Sequence, residues 1–211
     1  MKIRAVLFDM DGVLIDARDW HYEALNAALS IFGMPISRFE HLTTFDGLPT
    51  RKKLEMLSLE RGLPRQLHDF ISDLKQQYTI QIVHARCKPI FIHEYALSWL
   101  KANGYKIAVC SNSVRQTIEL MMAKSALCTY LDYIVSNEDV VQGKPHPEMY
   151  EKAIKFFGLE PTECLVVEDH DNGIKAALAA KAHVFRVHDV TQTHIQNILS
   201  RIYDIENRIS P

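Results

Sequence analysis

Apolar positions along the chain follow two rhythms. Five short, largely apolar runs, at 3–8, 106–110, 133–135, 165–167 and 184–187, read as buried strands. Helical patterns separate the later ones. Residues 88–104 (KPIFIHEYALSWLKANG) close on Gly104, a good residue to follow a helix C-terminus. Residues 113–127 carry helical apolar spacing. Residues 146–158 (HPEMYEKAIKFFG) open near a proline and stop at Gly158. Residues 172–182 are rich in alanine, the best helix former. Strands alternating with helices predict an α/β fold, a Rossmann-like five-stranded parallel sheet covered on both faces. The first strand departs from the rhythm. No strand follows it until 106; instead helical patterns fill 20–32, 50–61 and 64–83. The expected organisation is an α/β core domain from 1–16 and 84–211, interrupted by a helical cap domain at 17–83.

Composition narrows the class. A chain of 211 residues, 47% hydrophobic, can bury one substantial core, or a core plus a smaller insert. The net charge is −2 and no basic tract stands out, which argues against a nucleic-acid partner. No segment has the run of about 20 apolar residues that a membrane span needs. The opening MKIRAVLFD does not have the form of a signal peptide. Four cysteines form no CxxC pair, and Cys110 and Cys164 sit inside apolar runs as small hydrophobes. A reducing compartment, the cytoplasm, and a monomer or small homo-oligomer are expected. No repeat or low-complexity segment is visible.

Polar residues cluster where the strands end. The first strand runs into Asp9-Met10-Asp11-Gly12, the second into Ser111-Asn112-Ser113, and the fourth into Glu168-Asp169. The loop after the third leads to Gly143-Lys144-Pro145. Open α/β sheets bind ligands outside the carboxyl ends of their strands. Asp9, Asp11, Ser111, Lys144, Glu168 and Asp169 should therefore meet at one sheet edge. Oxygen-only ligands suit Mg²⁺, which binds through one or two carboxylates plus substrate phosphate. Ser111 and Lys144, with Asn112 as a second contact, would hold phosphate oxygens. A metal and a lysine together allow Asp9 to stay ionised as a nucleophile. Asp11, among so much negative charge, could keep a proton for a leaving oxygen and later take one from water.

These segments resemble the motifs of the haloacid dehalogenase-like (HAD) hydrolases. DMDGVLID is similar to their first motif, CSNS with Ser111 to the second, GKPHPE with Lys144 to the third, and VVEDHDNGIKAALAA with Glu168 and Asp169 to the fourth. The helical insert resembles the small cap of the β-phosphoglucomutase-like branch. The resemblance implies phosphoryl transfer through an aspartyl-phosphate on Asp9, with Asp11 as general acid/base. It also implies a Mg²⁺ site from Asp9, Asp11 (through its main-chain carbonyl), Glu168 and Asp169, the last two directly or through water. The cap would close to exclude solvent and choose the substrate. His21 stands at the spacing of a proton-transfer histidine in sugar-phosphate mutases of that branch, and is equally a plain helix-face histidine.

Structural roles compete for some of these residues. Asp16 suits the cap of a helix starting near Arg18. Ser111 could cap the helix that follows it, and Asp171 could cap the next one or stand behind the site. Phe156-Phe157 and Met121-Met122 read as core. His84, Cys87 and His93 match no compact zinc spacing. Three positions depart from the family pattern: Asp46-Gly47 where mutases carry Lys-Gly, His170 where serine is usual, and Lys181 where glycine is common. The expected activity is a Mg²⁺-dependent phosphatase acting on a small phosphorylated metabolite. The alternatives are a phosphosugar mutase and a non-catalytic binding module; the latter should have lost one of Asp9, Asp11, Lys144 or Asp169, and all are intact.

Overall fold

The computed structural model describes residues 2–45 and 48–207, so Asp46 and Gly47 lie outside the described residues. The chain divides into two compact units, Met1–Asp16 with Cys87–Pro211, and Ala17–Arg86.

The first unit is built on β1 (Ala5–Phe8), β2 (Lys106–Cys110), β3 (Tyr133–Val135), β4 (Cys164–Glu168) and β5 (His183–Arg186). All pairings are parallel and the order is β3-β2-β1-β4-β5. This is the α/β sheet that the apolar runs predict. Every residue of the central strand β1 is buried, as a parallel strand covered on both faces requires. The sheet starts at Ala5 and not at residue 3, because the Ile3 amide donates to Glu206 Oε1 at 2.9 Å.

The second unit is helical. It contains α1 (Arg18–Ser30), the short α2 (Arg38–Glu40) running into a π-turn at His41–Phe45, α3 (Thr50–Arg61) and α4 (His68–Arg86). Helices α1 and α4 pack together, and Leu25, Leu29, Ile36, Phe45, Leu54, Leu57 and Ile71 form a separate core. The sequence pattern ends the last of these helices at 83, but α4 continues to Arg86, whose guanidinium pairs with Glu23 on α1 at 2.8 Å.

The sheet is flanked by α5 (Phe91–Ala102), α6 (Arg115–Lys124), α7 (Glu148–Phe157), α8 (Asp171–Ala179) and α9 (Ile195–Asn207). Ala5, Leu7, Ala108, Cys110 and Val166 share one core with α7 and α8. Side chains alternate along a strand, so the equally buried Val6, Phe8, Val109 and Val167 serve the opposite face. Helix α5 packs on α9. The strand-and-helix pattern above does not include α9, yet its buried Ile195, Ile198, Ile202 and Ile205 have helical spacing. Met121 and Met122 are core as expected. Phe156 is not: the stripe of α7 that faces inward is Met149, Tyr150, Ala153 and Ile154, which leaves Phe156 outside, stacked on Tyr133.

Lys181, just beyond α8, adopts φ +61°, a left-handed conformation that costs a side-chain-bearing residue about 1–2 kcal/mol. The glycine common there in the family would carry no such cost, although its freer unfolded chain returns part of the gain. Lys181→Gly should raise stability by about 0.5–1 kcal/mol, read as a higher urea midpoint at unchanged slope. A lower midpoint would show that the conformation is not strained.

Candidate active site

Strand register builds the site. Phe8 pairs with Val109 on one side and Val167 on the other. The next residues, Asp9 just past β1 and Cys110 and Glu168 at the ends of β2 and β4, therefore lie at one level. The Asp9 amide still donates to Val167 O at 2.9 Å, and the Ser111 amide to Val135 O at 3.0 Å. The strand order reverses direction at β1, so this edge opens the crevice typical of such sheets.

Lys144 reaches the same point from the loop between β3 and α7. The Asn112 carboxamide clamps its backbone: Oδ1 accepts from the Lys144 amide at 3.0 Å and Nδ2 donates to its carbonyl at 3.3 Å. Gly143 permits that approach, since a Cβ there would sit 2.5 Å from Asn112 Oδ1. The Lys144 ammonium donates to Asp9 Oδ1 and to Glu168 Oε1, both at 2.6 Å. The Tyr150 hydroxyl donates to the same Glu168 oxygen at 2.6 Å, and its ring centroid lies 4.9 Å from Lys144 Nζ. Glu168 Oε2 accepts from the Asp169 amide at 3.2 Å and the His170 amide at 3.5 Å. Gly173 on α8 leaves room for this carboxylate; a Cβ would fall 1.7 Å from Glu168 Oε1.

The electrostatics are those of several buried acids around one base. Burial alone would lower the Lys144 pKa, but the Asp9 and Glu168 carboxylates outweigh it and hold the ammonium above the ordinary lysine value. Burial pushes the Asp9 carboxyl well above the usual range; Lys144 opposes the shift, while Glu168, Asp169 and Asp11 add to it. The Tyr150 phenol is likewise pushed up, first by burial and then by Glu168.

Other expected residues take varied places. Asp11 lies in a tight turn in which the Leu14 and Ile15 amides donate to Met10 O, and its Oδ2 accepts from Ser113 Oγ at 3.4 Å. Ser111 is buried and its Oγ accepts from the Ser113 amide at 3.1 Å. It caps no helix, because α6 starts later, with Val114 at its N-cap. Asp16 is not a cap either: Ala17 occupies the N-cap of α1 and no side-chain cap bond forms. The cap of α8 is His170, whose Nδ1 accepts from the Asn172 amide at 3.2 Å. Asp171 instead pairs with Arg186 at 3.0 Å. The Asn112 carboxamide is occupied in holding Lys144. His21 lies on α1 in the helical unit, its Nδ1 3.4 Å from Lys75 Nζ. His93 gives Nε2 to Val190 O at 2.7 Å.

Ligand oxygens of Asp9, Glu168 and Asp169 lie within 4.8 Å of one another, the group among the described residues suited to a metal ion. An all-oxygen, anionic donor set fits Mg²⁺, and the balance of acids over one lysine leaves a place for a second positive centre. The Asp11 side chain stands outside that group. Sequence reasoning did not single out Tyr150, Gly173 or the pairing of Ser113 with Asp11. Tyr150 reads as one more large residue on a helix, and only the fold shows what its hydroxyl meets.

Comparison with known proteins places this arrangement. A family model described as haloacid dehalogenase-like hydrolase matches residues 6–187. An uncharacterised protein of Haemophilus influenzae is 30% identical over 182 residues, covering 86% of this chain and 90% of its own. Pyrophosphatase PpaX of Bacillus cereus is 30% identical over 180 residues, covering 82% and 78%. A crystal structure of β-phosphoglucomutase from Clostridium difficile superposes with a TM-score of 0.82 at 21% identity, covering 98% of this chain and all of that one, a likeness of fold.

Lys144→Met leaves Asp9 and Glu168 buried without their cation, which should cost about 3–5 kcal/mol of stability in urea unfolding. Adding Glu168→Gln should restore part of the loss. A single variant as stable as the wild type would show that the pair is not a structural support.

Proposed function

Because the chain belongs to the haloacid dehalogenase-like hydrolases, we propose that it is a Mg²⁺-dependent phosphatase that hydrolyses a small phosphorylated metabolite, a sugar phosphate or similar phosphomonoester. The observation that carries this reading is the Asp9 carboxylate, held by Lys144 at 2.6 Å beside Glu168 and Asp169, with Asp11 two residues on. The name of the PpaX relative, a pyrophosphatase, supports hydrolysis of a phosphate bond.

Asp9 is the nucleophile. Its free oxygen attacks phosphorus, the bond to the leaving oxygen breaks, and Asp11 protonates that oxygen. A water then gives its proton to Asp11 and its oxygen attacks the phosphorus of the aspartyl-phosphate, which releases inorganic phosphate and regenerates Asp9. Lys144, kept protonated by Asp9 and Glu168, opposes the upward push of burial on Asp9 and faces the phosphoryl oxygens, and the Ser111 hydroxyl adds a donor. The carboxylates of Asp9 and Asp169 and the main-chain carbonyl of Asp11 would hold Mg²⁺, with Glu168 behind them. Bound there, the ion neutralises charge that the acids would otherwise turn against the phosphate. Positioning and electrostatics supply most of the rate, as in phosphoryl transfer generally. His21 is placed in substrate handling or proton transfer within the helical unit, which we read as the cap domain. The cytoplasm is the proposed compartment, on the free state of Cys87, Cys110, Cys128 and Cys164; no helix among the described residues is long and apolar enough to cross a membrane.

A panel of phosphorylated metabolites assayed for phosphate release with Mg²⁺ tests the reading. At least one should turn over, and Asp9→Asn should lower kcat by about 10³-fold or more with the fold intact. Unchanged turnover in that variant would refute the nucleophile. Isomerised sugar phosphate with little free phosphate would replace the phosphatase by the mutase alternative.

A further inference from the structure

We infer that the Tyr150 hydroxyl is a positioning group that withholds Glu168 from the metal position and thereby sets which divalent cation the site prefers. The inference rests on the Mg²⁺ reading of the sheet-edge acids and deepens it.

An ionised carboxylate has about four acceptor sites. Those of Glu168 are all engaged: Oε1 by Lys144 Nζ and Tyr150 Oη, Oε2 by the amides of Asp169 and His170. The headgroup is also gripped sterically, because it fills the space over Gly173 that any larger residue would occupy. Yet one of its oxygens lies within 4.8 Å of the ligand atoms of Asp9 and Asp169. Glu168 is thus near enough to ligate directly and is held by donors on three sides.

Of these donors, the phenol is the one that packing does not explain. Tyr150 is fully buried on the inward stripe of α7, where phenylalanine would fill the same volume. A hydroxyl buried there costs free energy unless it is bonded, and the bond it makes is to Glu168. The ring meanwhile stays beside Lys144, so the hydroxyl acts on Glu168 separately from the contact with lysine.

The consequence is selectivity. Mg²⁺ keeps several waters and takes few carboxylates, whereas Ca²⁺ accepts six to eight oxygens and bidentate acids. Two direct carboxylates, from Asp9 and Asp169, suit the smaller ion. A third, freed from Tyr150, would suit the larger one.

Calorimetric titration of Mg²⁺ and of Ca²⁺ into the substrate-free protein reads this directly. In Tyr150→Phe the ratio of Ca²⁺ to Mg²⁺ affinity should rise at least about threefold over wild type. The same substitution in a Glu168→Gln background should leave the ratio where Glu168→Gln alone puts it. A smaller rise, a parallel loss of both affinities, or a rise that persists without the Glu168 charge would overturn the inference and leave the Mg²⁺ reading standing. Wild-type protein that binds no Mg²⁺ would overturn both. Should Tyr150→Phe fail to fold, Gly173→Ala, whose Cβ would fall 1.7 Å from Glu168 Oε1, displaces the same carboxylate and is judged by the same ratio.

Discussion

The ammonium of Lys144, shared between Asp9 and Glu168, is the interaction on which the rest of this sheet edge depends. Two carboxylates at one level of adjacent strands repel, and neither tolerates burial alone. A cation 2.6 Å from each turns that repulsion into a bridge between β1 and β4. A buried ion pair is weak evidence of net stability, since desolvation takes back much of the Coulomb gain. What it does enforce is geometry. Lys144 must arrive from the far side of β2, and it does so because Asn112 holds its backbone through both carboxamide atoms. Loops after three different strands are thus tied to one nitrogen.

The same constraint explains how a large helical insertion is tolerated directly after Asp9. The chain leaves β1 through a turn closed on itself: the Leu14 and Ile15 amides return to Met10 O, and the Gly12 amide to Ile15 O. Val13, Leu14 and Ile15 are buried, so the turn is anchored by packing as well as by hydrogen bonds. Asp9 and Asp11 are therefore fixed before the chain departs for 70 residues, Ala17–Arg86, that carry a core of their own.

Legibility followed the physics of each element. Parallel strands covered on both faces must be uninterrupted apolar runs, so β1 to β5 were readable to within a few residues. The acids were readable because a charge directly after such a run needs a reason. Two features were present in the sequence and still escaped the pattern: Ile195, Ile198, Ile202 and Ile205 announce α9, and Ser37 with Glu40 forms a capping box for α2. Others could not be read. Whether Asp16 or Ala17 caps α1 turns on one residue of register, and whether Asp171 or His170 caps α8 likewise. Tyr150 and Gly173 owe their meaning to a carboxylate that reaches them only through the pairing of β1 with β4 and the packing of α7 and α8 against the sheet.

The acids of this edge differ less in chemistry than in what surrounds them. Glu168 has its acceptor sites filled by four donors, so it is spent on shape. Asp9 shares the Lys144 cation through Oδ1, while burial and three acidic neighbours push its carboxyl up. Asp11 sits half-buried in its turn, where its Oδ2 accepts from the Ser113 hydroxyl. Two acids on one turn thus meet different partners, an ammonium at Asp9 and a hydroxyl at Asp11, because Asn112 anchors Lys144 at the level where Phe8, Val109 and Val167 align.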